Sequence, residues 1–148
     1  MRPVAGLVGA LVVALALAGC GTSSLSADQL RNFATRACDL SRQRTDEIPT
    51  PSTPTEGASF LSRGIAALAP EQTTLESLHP PGNLATDYHA AVQASAQELT
   101  ALRTTLAGLK AGDDPVVAVE GLQHRLAPLE QRADSAWRSL DLPACADR

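Results

Sequence analysis

Apolar residues recur at helical spacing in four separate stretches of this chain. Leu30, Phe33, Ala37 and Leu40 are three, four and three residues apart, which puts them on one stripe of a first helix, with Cys38 beside that stripe. Its start is marked twice: Ser26 with Gln29 has the spacing of a capping box, and Leu25 with Leu30 that of a hydrophobic staple. The pattern fades near Glu47, and Pro49-Thr50-Pro51-Ser52-Thr53-Pro54-Thr55 follows, where repeated prolines remove donors and force extended geometry. Residues 49–55 therefore read as a stiff connection.

Thr53 as cap, Pro54 in the first helical position and Glu56 three residues after Thr53 restart the helix. Its stripe runs through Leu61, Ile65, Leu68, Leu75 and Leu78, with a kink expected at Pro70. His79-Pro80-Pro81-Gly82-Asn83 breaks the chain, with Asn83 as candidate cap of a third helix. Leu84, Tyr88, Ala91, Ser95, Leu99, Leu102, Leu106 and Leu109 then alternate at threes and fours, the narrow seam of a packed bundle. Gly112-Asp113-Asp114-Pro115 supplies a stop, a cap and a proline start. The fourth stripe is Val116, Val119, Leu122, Leu126, Leu129, Ala133, Trp137 and Leu140, interrupted by Pro128. No stretch alternates with the period of a strand. The expected fold is all-α, and the short second and third connections favour an antiparallel up-down-up-down four-helix bundle over residues 26–148.

Residues ahead of the bundle follow a different pattern. Val4 to Ala18 is apolar apart from glycine, preceded by Arg2 and followed by Leu17-Ala18-Gly19-Cys20 and small polar residues. This is a secretory signal layout, too short for a spanning helix. Leu17-Ala18-Gly19-Cys20 resembles the lipobox of bacterial lipoproteins. That resemblance implies a diacylglyceryl group on the Cys20 sulfur and cleavage just before it, so residues 1–19 would be signal and residues 20–25 a lipidated tether. Two acyl chains suffice for stable attachment. The implied location is the extracytoplasmic face of the plasma membrane, with the lipid on Cys20 as the membrane contact.

Loss of the signal removes Arg2 and takes the net charge from −4 to −5, spread over 129 residues without a basic block. Nucleic acid is therefore not an expected partner. Cys20 assigned to lipid leaves Cys38 and Cys145, an even pair in an oxidising compartment, and these are expected to form one structural disulfide. It would clasp the C-terminal tail to the first helix, beside an aromatic layer of Phe33, Tyr88 and Trp137.

Candidate chemistry is sparse. Glu76-Ser77-Leu78-His79 has the Glu-x-x-His spacing of di-iron bundles, but such sites use two of these motifs, and this sequence has one. His79 at a helix end reads more simply as a partner for the last carbonyls. Glu120 and His124 are one turn apart but off the leucine seam, as a solvated pair would be. Gly57-Ala58-Ser59 lacks the closing glycine and the preceding strand of a nucleophile elbow. No catalytic residue, cofactor-binding residue or metal ligand is assigned, and no cofactor is expected.

The whole layout, a lipobox, a polar tether, helices broken at Pro80-Pro81 and a terminal Leu142-Pro143-Ala144-Cys145, also resembles the small helical lipoproteins of unknown function of GC-rich Gram-positive bacteria. It implies no activity. The expected role is a non-enzymatic interaction or scaffold module. The alternative is a carrier that holds a small apolar or lipidic ligand between its helices.

Overall fold

The computed structural model describes residues 24–146. The signal peptide and the lipid site at Cys20 lie outside the described residues. Four long helices and one short one make up the fold: α1 (Ala27–Asp46), α2 (Gly57–Ser77), α3 (Ala85–Ala111), α4 (Pro115–Ser139) and α5 (Pro143–Ala146). Among the described residues there is no strand.

The ends of these helices show which local signals operate. At α1 the capping box forms in full: the Gln29 N–H donates to Ser26 Oγ at 3.2 Å, and the Ser26 N–H donates to Gln29 Oε1 at 2.9 Å. At α4 the Asp114 carboxylate accepts from the Val116 and Val117 N–H groups at 2.9 and 3.0 Å, with Pro115 in the first helical position. Gly112 ends α3 at φ 103°, the left-handed region that a residue with a Cβ rarely adopts.

Two expected caps are not made. Thr53 gives no capping bond; its hydroxyl meets Thr55 Oγ1 at 2.9 Å, and Glu56 reaches past it to accept from the Ser52 N–H at 2.6 Å. Pro54–Glu56 is consequently a 3-10 turn, and α2 proper starts at Gly57. Asn83 does not cap α3 either: the chain turns through a bond from the Leu84 N–H to the Pro81 carbonyl, which makes Leu84 the last non-helical residue. Both α2 and α4 continue through their internal prolines, Pro70 and Pro128.

Contacts between helix ends establish the antiparallel order. The Leu25 N–H at the start of α1 donates to the His79 carbonyl past the end of α2 at 2.8 Å. Tyr88 near the start of α3 donates to the Leu75 carbonyl near the end of α2, also at 2.8 Å, and packs edge-on against Trp137 near the end of α4 with ring centroids 5.8 Å apart. The bundle is the expected up-down-up-down one. Each of α1, α2 and α3 packs on its successor, but the ring closes through α5, which packs on both α4 and α1.

That closure rests on a reversal of the chain. Asp141 adopts φ 60°, the Leu142 N–H donates to the Trp137 carbonyl at 3.0 Å, and Pro143 starts the short α5. Cys145 thereby meets Cys38 in a disulfide with Cα atoms 5.1 Å apart. On the same side, Arg31 of α1 donates to the Leu140 carbonyl at 3.2 Å. Leu140, Leu142, Cys145 and Ala146 are all buried there.

One stripe is rotated from its expected phase. The buried face of α1 is Leu30, Ala34, Cys38 and Ser41, whereas Phe33 and Leu40 are 45% and 47% exposed. Small residues at Ala34 and Cys38 let α5 lie close against α1, and the larger Phe33 and Leu40 have no helix opposite them. Phe33 accordingly does not join the aromatic layer, which is Tyr88 and Trp137 alone.

Candidate functional site

The buried interior changes character along the bundle axis. At the end that holds the disulfide it is a continuous apolar cluster, with Leu30, Leu75, Tyr88, Trp137, Leu140 and Leu142 at its centre. Buried Leu61, Leu99 and Leu122 stand outside that cluster, farther along the bundle. Between the two lies a cavity of about 400 Å³, in the size range of small-molecule pockets.

Its walls come from every helix of the bundle: Ser41 from α1, Glu71 and Gln72 from α2, Ser95 and Leu99 from α3, Glu130 and Asp134 from α4, and Ala146 from α5. The concentration of polarity is not accidental to the count. Of five buried polar side chains among the described residues, Ser41, Glu71, Gln72, Ser95 and Thr105, all but Thr105 line this space. A polar group taken from water needs compensating hydrogen bonds, and several are in place. Ser41 donates to the Ala67 carbonyl at 3.4 Å. Gln72 donates to the Val92 carbonyl at 3.2 Å and to Glu76 at 2.8 Å. Ser95 accepts from the Trp137 indole at 3.2 Å.

Glu71 is the most unusual of the set, an acid only 3% exposed. Its Oε1 lies 3.8 Å from Cys38 Sγ. A disulfide sulfur carries no proton, so this is a packing contact and not a hydrogen bond. The disulfide is thus part of the enclosure of the cavity as well as the clasp of the fold.

Charge on the cavity wall is one-sided. Glu71, Glu98, Glu130 and Asp134 face Arg42 as the sole base among the described lining residues. Arg42 is engaged by Asp39 at 2.7 Å, and Asp134 by Arg138 at 3.6 Å. Four leucines, Leu68, Leu99, Leu102 and Leu126, complete the wall.

The residues singled out in the sequence fall elsewhere. Cys38 and Cys145 form the expected pair. Glu76 accepts the Gln72 amide, and His79 and Glu76 are both exposed. Glu120 and His124 are exposed on α4. Among the described residues no three His, Cys, Asp or Glu side chains come together as a metal ion would need. Tyr88 is sealed in the apolar end, where burial raises its phenol above the usual range. A second concavity of about 360 Å³ opens at the opposite end, between Pro51 and Pro54 of the stiff connection and Val116 and Val119 of α4.

Compared with known proteins, the chain matches no family model, no curated protein and no solved structure. Its function is therefore argued from the geometry above.

Proposed function

We propose that this protein is a non-enzymatic binding module, lipid-anchored through Cys20 at the extracytoplasmic face of the plasma membrane, that holds a small molecule in the cavity between its helices. The observation that carries the reading is that four of the five buried polar side chains among the described residues surround one cavity. A bundle of this size gains most by filling its axis with apolar side chains, and an empty polar space there costs stability. A bound molecule offsets that cost by filling the space. The Cys38–Cys145 disulfide suits an oxidising compartment. No described helix is long and apolar enough to cross a membrane, so attachment in this reading falls to the lipid.

Lipidated protein extracted from its own membrane and examined by native mass spectrometry should carry a small-molecule adduct. Leu102→Trp, which fills the cavity from α3, should lose the adduct while helix content is kept. Protein that flies without any adduct, in wild type and variant alike, would count against the carrier reading. For the anchor, Cys20→Ala should abolish the lipid mass and detergent-phase partitioning.

A second reading, an interaction or scaffold module, draws on the outward face of α1, where Phe33 and Leu40 are half exposed one above the other. Phe33→Ser with Leu40→Ser would remove such a docking face without touching the buried core.

A further inference from the structure

We propose that the cavity is a site for a small organic cation, an ammonium or guanidinium group on a short aliphatic stem. This rests on the reading that the cavity holds a molecule, and it names the chemical class. Glu71, Glu98, Glu130 and Asp134 bring carboxylates to the space from three different helices, and the one base among the described lining residues, Arg42, is already bonded to Asp39. In a partly enclosed space such a surplus focuses field lines and attracts positive charge. The innermost of the four, Glu71, is 3% exposed, so a cation beside it would be held in a low-dielectric setting where pairing is strong.

Geometry sets the shape of that cation. The carboxylates are distributed around the wall and no three acid, His or Cys side chains among the described residues converge, which suits hydrogen-bond donors spread over an organic head group and not a point-like metal ion. Ser41, Gln72 and Ser95 add neutral polar groups beside Glu71. Leu68, Leu99, Leu102 and Leu126 supply an apolar wall against which three or four methylenes can lie.

The same chemistry has two sources. One is a free small amine or guanidine from outside the cell. The other is the chain itself: Ala146 lines the cavity, and Arg148, outside the described residues, follows two positions later. Two residues span at most about 7 Å, within reach of the wall.

The test uses the lipidated protein in phosphatidylcholine nanodiscs, with empty nanodiscs as blank, and isothermal titration with n-butylguanidinium, 1-pentanol and pentanoate. These share a stem and differ in head-group charge. Butylguanidinium should bind at least tenfold tighter than the other two, and Glu71→Gln should weaken it tenfold or more. Glu130→Gln, at an exposed position on the rim, should weaken it in the same direction and guards against a misfolded Glu71 variant. Binding to wild type identifies a free cation as occupant; binding that emerges only in Arg148→Gln identifies the chain's own guanidinium. If 1-pentanol or pentanoate binds as well and Glu71→Gln is indifferent, the cation assignment falls and the carrier reading stands. If no probe binds wild type or Arg148→Gln, and native protein carries no adduct, both fall.

Discussion

The indole N–H of Trp137 donates to Ser95 Oγ at 3.2 Å, joining α4 to α3 at the boundary between the apolar end of the bundle and its polar cavity. Both side chains are buried, Trp137 completely. Removing the acceptor leaves a buried donor unsatisfied. Ser95→Ala should therefore destabilise by about 1–3 kcal/mol. Trp137 is the single tryptophan of the chain, so its fluorescence reports this site directly in a urea titration. An unchanged midpoint would show that water replaces the hydroxyl without cost.

The disulfide closes a span of 107 residues. Replacing both Cys38 and Cys145 by alanine should lower stability by about 2–5 kcal/mol, the range for removing such a crosslink from a small domain. Far-ultraviolet circular dichroism at low temperature should change little, because α1 to α4 retain their own caps and packing, while the melting temperature drops. Two alkylatable thiols in the native exported protein would contradict the pairing itself.

Tyr88 provides a pH signature. Its hydroxyl is buried and donates to the Leu75 carbonyl, and burial raises its pKa above the ordinary 10.0. Below pH 10 both folded and unfolded chains keep the proton, so the phenol adds no slope. Above it the unfolded chain releases the proton first, and stability should fall by about 1.4 kcal/mol per pH unit until the folded phenol also ionises. Tyr88→Phe should remove this alkaline slope. Tyr88 is the sole tyrosine, so phenolate absorbance during unfolding at high pH follows it without interference.

The caps predict a contrast between residues that look alike in sequence. Ser26→Ala and Asp114→Ala break side-chain bonds to helix N–H groups and should each cost about 1 kcal/mol. Thr53→Ala removes no such bond and should fall within about 0.5 kcal/mol of wild type. Equal losses at Ser26 and Thr53 would mean that the 3-10 turn is capped in solution.

Why some features were legible in the sequence and others were not follows from where each is encoded. The four helices and their order are local: spacing of leucines, Gly112, Asp114-Pro115 and the paired prolines determine them within a few residues. The phase of α1 is not local. Phe33 and Leu40 make the stronger apolar stripe, yet the helix turns Ala34, Cys38 and Ser41 inward because its neighbours include α5, more than a hundred residues away, tied by Cys145. The cavity left a fainter trace. Gln72 sits between Leu68 and Leu75 where the seam calls for an apolar residue, and Ser95 does the same between Ala91 and Leu99. Polar residues at seam positions on two adjacent helices are the signal; Glu71, one position off the seam, becomes visible only once α1 and α5 are laid against it.

Closure of the ring by α5 has a consequence for the order of assembly. Packing of α1 on α2, α2 on α3 and α3 on α4 joins neighbours in sequence and can proceed as soon as each pair of helices exists. The final side waits for residues 140–146, the last described stretch of the chain. Until Leu140, Leu142 and Cys145 arrive, the molecule is a row of four helices with an open edge, and its polar interior is still solvent. A chain that stops at Ser139 would keep every long helix and lose the inside.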